Sequence, residues 1–268
     1  MSARFLAALW LSLVPCTAPA QLETLNEAPI VDGKDVIWVP TPDAAVDRML
    51  LLARVTSNDL VVDLGSGDGK IVIAAAKRFG ARSRGIEYNP DLVETSRRNA
   101  RIDGVADRAR FVQADMFETD FRDATVVTLY LLTTLNLRLR PKLLEMRPGT
   151  RVVSHVFRMG DWEPDETAKT GASEIYLWVV PANVAGRWRV EVRDGATFEL
   201  ALEQRYQRVA ARMLGGGAPL RVTSTQLAGS AIRVVLAGAG GERPLAGRVD
   251  GDRIDGAEGS WRAVRLKP

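Results

Sequence analysis

A glycine-rich turn directly after a short apolar segment constrains the fold of this chain more than any other sequence feature. Leu60–Leu64 (LVVDL) has the character of a buried strand, and Gly65-Ser66-Gly67-Asp68-Gly69 follows it without a break. Residues 71–79 then predict a helix, which Gly80 ends. A strand, a glycine turn and a helix in this order predict the first unit of a doubly wound sheet, with a turn that lets backbone approach a ligand closely.

Strands and helices alternate through the first two thirds of the chain. Thr41-Pro42-Asp43 and Asn89-Pro90-Asp91 each combine a polar N-cap, a proline at the first helical position and an acid in the first turn. Further strands are predicted over 83–87, 110–113, 124–132, 150–157 and 174–180, and a helix over 143–146 with Pro141 near its start or kinking it. This alternation over 41–185 predicts an α/β fold with a doubly wound Rossmann-like sheet.

The composition changes after residue 185. This part holds 13 of the 23 glycines, and its 14 Lys/Arg against 9 Asp/Glu give +5, whereas residues 1–185 carry −2. Short strands are predicted over 188–192, 197–204, 220–225, 232–236, 248–249 and 261–266, and turns at Asp194-Gly195, Asp250-Gly251 and Asp255-Gly256. Residues 186–268 are therefore expected to form a small antiparallel β domain, a meander that could close into a small barrel.

The first twenty residues resemble a secretory signal peptide. Arg4 precedes a ten-residue apolar run over 5–14, which is too short to span a bilayer, and Ala18-Pro19-Ala20 supplies a cleavage pattern. We therefore expect cleavage after Ala20, an N-terminal arm over 21–40, and a secreted or periplasmic protein. The alternatives are an apolar helix of the fold and a lipoprotein with Cys16 as the lipidated residue.

The spacing of the glycine turn restricts its ligand. A dinucleotide fingerprint would need glycine where Lys70 stands, and a phosphate loop would need Ser or Thr where Ile71 stands. A ligand without pyrophosphate, such as an adenosyl sulfonium, fits better. Gly65, Ser66, Gly67, Asp68 and Gly69 would pack on its methionyl and ribose parts. A plain structural turn is the alternative.

Acidic residues at strand ends extend this candidate site. Asp63 can hold a charged amino group, and Glu87 ends the next strand about twenty residues on, where an acid reaches ribose hydroxyls. Asp115 follows the third strand and could accept from the adenine amino group, and Met116 could pack on the ring; an ordinary loop carboxylate is the alternative for Asp115. Thr41 would contact the same ligand if the first helix folds over the pocket. One cysteine and one histidine exclude a His/Cys metal cluster, so no metal is expected.

Five segments together resemble a known family. They are VPTP (39–42), VVDLGSGDGKIVIAAA (61–76), RGIEYNPDLV (84–93), ATVVTLYLL (124–132) and PGTRVVSH (148–155). They are similar to class I (seven-β-strand) S-adenosylmethionine-dependent methyltransferases, and in particular to the protein-lysine methyltransferases that include the archaeal and the ATP synthase c-subunit enzymes. The resemblance covers about 38–160 and implies S-adenosyl-L-methionine as cofactor and a protein with an accessible lysine as partner.

Two residues near strand ends are candidates for the catalytic centre. Tyr130 lies near the end of the fourth strand and His155 at the end of the fifth, at the edge where such sheets bind ligands. Either could line the acceptor channel or be structural, and His155 could act as a base.

No Asn-Pro-Pro-Tyr stretch is present and aromatic residues are sparse in the Arg-rich tail, so no nucleic-acid partner is expected. Membrane association stays open. A small-molecule or lipid acceptor, or a non-catalytic binding module, are the alternatives.

Overall fold

A computed structural model describes residues 38–214 and 220–267. The expected signal peptide, its cleavage site, Cys16 and most of the N-terminal arm lie outside the described residues. Within the described part, no helix is both long and apolar enough to cross a membrane.

The first sheet has seven strands. They are β1 Leu60–Leu64, β2 Arg82–Glu87, β3 Ala109–Gln113, β4 Val126–Leu129, β5 Arg151–His155, β6 Glu166–Thr170 and β7 Ser173–Val179. Their order is β3-β2-β1-β4-β5-β7-β6, with β1 to β5 parallel and β7 antiparallel to both β5 and β6. The strand order reverses between β1 and β4, and ligands bind at the carboxyl ends of strands beside such a point.

Four helices accompany this sheet among the described residues. They are α1 Asp43–Leu52, α2 Lys70–Phe79, α3 Pro90–Ile102 and α4 Thr133–Leu144. The apolar face of α1 is buried as its spacing predicts, at Val46, Met49, Leu50 and Ala53. The α/β class is confirmed. The predicted N-cap of α1 is wrong by one position, because Pro42 rather than Thr41 occupies it and no side chain caps the helix.

Two other predictions in this half differ from the structure, and one strand is not predicted. The strand predicted over 124–132 ends at Leu129, because the apolar run continues into the cap and first turn of α4 and hydrophobicity alone does not mark the boundary. The helix predicted around 143–146 begins at Thr133 instead and contains Pro141, since buried leucines hold it on the sheet. The sequence pattern does not predict the polar strand β6, because only Ala168 of it is buried.

The second sheet has eight antiparallel strands. They are β8 Gly186–Val192, β9 Thr197–Arg205, β10 Arg208–Leu214, β11 Arg221–Ala228, β12 Ala231–Gly238, β13 Gly241–Asp250, β14 Arg253–Gly256 and β15 Trp261–Leu266. Their order is β10-β9-β8-β15-β14-β13-β12-β11, and β10 and β11 lie against each other, where Thr225 Oγ1 donates to the carbonyl of Val209. The sheet is thus almost closed around its own apolar core.

The antiparallel architecture of this second sheet is confirmed, but its strands are longer and more numerous than predicted. Strand β10 escapes prediction because its polar and apolar residues alternate weakly. The turn predicted at Asp255-Gly256 is wrong, since both residues pair with β13. Glycine is present there because a Cβ at residue 256 would collide with the indole of Trp261.

Candidate functional site

The glycine turn after β1 has a backbone that side chains rarely tolerate. Gly65, Gly67 and Gly69 have φ values of +72°, +54° and +84°, in the left-handed region. A Cβ at Gly69 would lie 2.7 Å from both Phe111 Cζ and Ser96 Cβ. Glycine at these positions therefore allows the turn to adopt this backbone and to pack tightly against β3 and α3.

Glu87 connects this turn to the end of β2. Its side chain is 9% exposed, and its Oε2 accepts a hydrogen bond from the Gly67 amide at 2.9 Å. Its Oε1 accepts from the Asn89 amide, also at 2.9 Å. Each carboxylate oxygen keeps a second lone pair, so the group can hold the turn and still accept hydrogen bonds from hydroxyl groups.

Asp63, at the base of the turn, is buried. Its Oδ1 accepts a hydrogen bond of 2.5 Å from Thr128 Oγ1 on β4. Burial raises the pKa of Asp63 to about 8 against the opposing Thr128 hydrogen bond, and the carboxylates of Glu87 and Asp68 raise it further. Three acids around one turn favour a ligand with positive charge, which would lower the pKa of Asp63 again.

The rest of the turn is held mainly through its backbone. The carbonyl of Asp68 accepts from Asn99 Nδ2 at 3.0 Å, and its Oδ1 accepts from the Lys70 amide at 3.2 Å. Ser66 Oγ is buried and has no hydrogen-bond partner among the described residues. This hydroxyl lies beside Gly85 of β2, where a Cβ would collide with it.

The segment that leads into α1 lies at the same turn. Lys70 Nζ donates to the carbonyl of Thr41 at 3.0 Å and lies 3.1 Å from Asp43 Oδ1. Trp38, 44% exposed, lies so close to Gly67 that a Cβ there would collide with its indole. Sequence reasoning did not single out Trp38. The aromatic residue immediately before the VPTP segment was the available signal.

Asp115 and Met116 follow β3 as predicted, but they are less closely tied to the turn. Asp115 Oδ1 accepts from the Phe117 amide at 2.8 Å, and its carbonyl accepts from Thr119 Oγ1 at 2.7 Å. Within residues 38–214 and 220–267, no hydrogen bond joins either residue to the glycine turn. The observed bonds of Asp115 organise its own loop.

Tyr130 and His155 lie together at the ends of β4 and β5. Their ring centroids are 4.4 Å apart, and the ring of Phe157 lies 6.0 Å from that of Tyr130. His155 is 1% exposed, and neither of its ring nitrogens has a hydrogen-bond partner among the described residues. Burial lowers the pKa of His155 to about 4 and raises the pKa of Tyr130. Both side chains are therefore uncharged at neutral pH.

The chain bends sharply immediately after His155. Val156 has a φ of +68°, which is unfavourable for a β-branched residue, and the Phe157 amide donates to the His155 carbonyl at 2.8 Å. Ser154 Oγ and Asn136 Nδ2 both donate to the carbonyl of Phe157, at 2.7 and 3.2 Å. Such strain is found where surrounding contacts enforce it, often at functional sites.

This edge of the sheet thus combines an acidic glycine turn with an uncharged aromatic cluster. The turn can hold a cationic ligand that carries hydroxyl groups, and the cluster can hold an apolar or neutral reactant. No group of three or more potential metal ligands is present in the described part of the chain. The arrangement suits transfer between two bound molecules by alignment of their reacting atoms.

Comparison with known proteins identifies methyltransferases. Residues 63–166 match the family model described as the ANTKMT methyltransferase domain. The chain is 44% identical over 151 residues to the protein-lysine N-methyltransferase of Saccharolobus islandicus, covering 54% of this chain and 94% of that protein. It is 35% identical over 146 residues to the ATP synthase c-subunit lysine N-methyltransferase of Mus musculus, but spans only 58% of its length.

One solved structure is also similar over the same part of the chain. It is described as an RNA methyltransferase from Salinibacter ruber in complex with S-adenosyl-L-homocysteine. The identity is 54%, the TM-score is 0.54, and the match covers 55% of this chain and 96% of that one. The relatives thus agree on the reaction, while their names differ on the methyl acceptor.

Proposed function

Because the chain belongs to the protein-lysine N-methyltransferase family of S-adenosylmethionine-dependent enzymes, we propose that it methylates the side-chain amine of a lysine in a protein. It is an S-adenosylmethionine-dependent methyltransferase, like the relatives that it matches. The lysine acceptor rests on the family and on one observation in the structure. This observation is the uncharged Tyr130–His155 pair at the ends of β4 and β5, in which His155 is buried and Tyr130 is half-buried.

The residues of the turn fit S-adenosylmethionine, which supplies a methyl group on a positively charged sulfonium. The bare backbone of the turn allows close approach, and we expect Glu87 to accept from the ribose hydroxyls. Asp63 would balance the positive charge of the cofactor's amino group. The three carboxylates favour the cation over its neutral product.

A lysine must lose its proton before its nitrogen can attack a methyl group. With an ordinary pKa of about 10.4, roughly one amine in 2,500 is neutral at pH 7. Leu131 and Leu132 are buried beside Tyr130, and together they offer an apolar environment that lowers the pKa of a lysine. We expect this desolvation, with the nearby positive charge, to provide the neutral amine.

His155 is poorly suited to remove that proton. A group with a pKa of about 4 is a weak base, and a buried imidazolium beside a cationic cofactor would be further disfavoured. We therefore expect His155 to line the site, while the hydroxyl oxygen of Tyr130 can accept a hydrogen bond from the amine and orient it.

RNA is the second candidate acceptor, because the similar Salinibacter ruber protein is described as an RNA methyltransferase. The residues give less support to this alternative. The Asn-Pro-Pro-Tyr stretch typical of base amino methylation is absent, and Leu131-Leu132-Thr133-Thr134 follows Tyr130. A small-molecule or lipid acceptor and a non-catalytic module stay as further alternatives.

One labelling experiment distinguishes these acceptors. Purified protein is incubated with methyl-labelled S-adenosylmethionine and a cell-envelope extract, with Glu87→Ala as a control that should bind the cofactor weakly. We expect label that protease removes and RNase does not. RNase-sensitive label would favour RNA, and label in the organic phase would favour a lipid. Cofactor binding without label in any fraction would favour the non-catalytic module.

We also propose that residues 1–20 direct export, which rests on the sequence alone. S-adenosylmethionine is made in the cytosol, so an exported enzyme would need a supply of it outside. Localisation and activity must therefore be tested separately.

A further inference from the structure

The second sheet lies outside the family similarity, which ends at residue 166 in the family model, yet one of its hairpins touches the loop that follows β5. Strands β9 and β10 are joined by Tyr206 and Gln207, which form the tip of the β9–β10 hairpin. This tip contacts the segment after β5, residues 156–165, which we call the post-β5 loop. The loop starts beside His155 and therefore connects the hairpin with the aromatic cluster.

Polar groups of the hairpin are matched to partners in the post-β5 loop. Trp162 Nε1 donates to Gln207 Oε1 at 3.0 Å, and Gln207 Nε2 donates to the carbonyl of Glu163 at 2.7 Å. Arg205 Nη2 and Tyr206 Oη donate to the two carboxylate oxygens of Asp161, at 2.8 and 3.1 Å. A single amide side chain thus satisfies a donor and an acceptor on the loop, which fixes its orientation.

Packing reinforces these hydrogen bonds. The ring of Tyr206 stacks on the indole of Trp162, with centroids 5.9 Å apart and planes at 22°. Trp162 is fully buried, and its carbonyl accepts from Trp178 Nε1 on β7 at 2.7 Å. Arg140 of α4 donates to the carbonyl of Met159 at 2.9 Å and to Asp161 Oδ1 at 2.5 Å. The loop is therefore held between α4, β7 and the hairpin.

The near end of the same loop forms part of the aromatic cluster. Val156 takes its strained left-handed conformation there, and Phe157 places its ring 6.0 Å from Tyr130. A strained residue persists only where the surroundings over-determine it. The bonds of Ser154 and Asn136 to the Phe157 carbonyl act from one side, and the hairpin holds the loop five residues further along.

We infer that the β9–β10 hairpin of the second sheet positions the acceptor side of the catalytic centre by holding the post-β5 loop. Tyr206 and Gln207 are then positioning residues that act through Trp162 and Phe157 on Tyr130 and His155. This inference gives the second sheet a role in methyl transfer, and its acceptor part rests on the proposed function. Cofactor binding, at the turn after β1, should be independent of the hairpin.

His155 offers a direct readout, because it is the one histidine in the sequence. Histidine-selective 15N labelling of the full chain, after removal of any histidine tag, gives imidazole signals from a single residue. The test variant combines Tyr206→Gly with Gln207→Ala. Tyr206 has a φ of +55°, so glycine there relieves backbone strain while it removes the stacked ring.

We expect the His155 signals of this double variant to shift or broaden, with the affinity for S-adenosylhomocysteine unchanged. Tyr206→Phe, which keeps the ring stack, should restore most of the wild-type signal when Gln207 is intact. Arg243→Ala is the control, because it removes a polar contact of the same sheet that lies away from the post-β5 loop, the pair with Asp194 at 2.7 Å. It should leave the His155 signals as in the wild type.

Unchanged His155 signals in a folded double variant would overturn the inference. If the double variant does not fold, Gln207→Ala alone is measured, and the same shift is required of it. In labelled-methyl transfer, the KM for the acceptor should rise roughly 3- to 10-fold in Gln207→Ala, which removes two neutral hydrogen bonds that hold the loop. If the protein does not methylate lysine, the comparison of His155 signals between the wild type and the double variant still tests the hairpin. The two proposals can therefore fail independently.

Discussion

The most informative single change at the cofactor site is Glu87→Gln. The glutamate uses one oxygen for the Gly67 amide and the other for the Asn89 amide, both at 2.9 Å. Glutamine has the same shape but only one oxygen, so its NH2 group must face one of these two amide donors. One backbone N–H then loses its acceptor, although the side-chain volume is unchanged.

Glutamine likewise leaves one acceptor fewer for the ribose hydroxyls of the cofactor, and the expected change in affinity follows from the loss of that bond. A hydrogen bond to a charged group contributes roughly 1.5–3 kcal/mol, and 1.4 kcal/mol corresponds to about tenfold in affinity. The Kd for S-adenosylhomocysteine should therefore rise about 10- to 150-fold in Glu87→Gln. The Kd of Glu87→Ala should rise at least as far, because this variant loses both bonds and the acceptors for ribose.

Isothermal titration calorimetry measures this directly, with thermal melting as a check on folding. Glu94→Gln is the control, because Glu94 is exposed on α3 and pairs with Arg101 at 3.2 Å. It should bind like the wild type. A wild-type Kd in a folded Glu87→Gln variant would refute the assignment of Glu87 to the ribose.

Three further outcomes are expected. The raised pKa of Asp63 means that the folded state holds a proton which the unfolded state releases above its ordinary pKa of 3.8. The melting temperature of the free protein should therefore fall as pH rises towards 8, and less so in Asp63→Asn, which calorimetric scans at several pH values check. Steady-state assays should show that Tyr130→Phe lowers kcat with the cofactor affinity nearly intact, and that His155→Ala costs less than the roughly 100-fold typical of losing a general base. Intact mass spectrometry of protein recovered from the producing cell should show Gln21 as the first residue, and full-length protein in the cytosol would contradict export.

The sequence predicts the first sheet well where hydrophobicity and turn chemistry agree. The strand Leu60–Leu64, the glycine turn and the Asn89 cap of α3 follow from local patterns, and the Asn89 side chain does accept from the Asp91 and Leu92 amides. The antiparallel direction of β7 could not be predicted in the same way. It depends on the hairpin with β6, a polar strand with little hydrophobic signal.

The same limit applies to the candidate site, whose residues can be predicted only where strand pairing or a local pattern determines their position. The closeness of Glu87 to Gly67 follows from the parallel pairing of β1 and β2, which brings both strand ends to one edge of the sheet. The position of Trp38 and the strained Val156 have no spacing signature, because contacts distant in sequence determine them. The same is true of Gln207, which reaches Trp162 across 45 residues.

Tandem mass spectrometry of the methylated product tests the central claim most directly. Purified protein is incubated with deuterated-methyl S-adenosylmethionine and with the protein fraction of the cell-envelope extract that accepts label. Glu87→Ala serves as the blank. We expect the added methyl mass on the Nζ of lysine residues, present with the wild type and lost or strongly reduced with Glu87→Ala. Label confined to RNA bases, to lipid or to a protein oxygen would contradict lysine methylation.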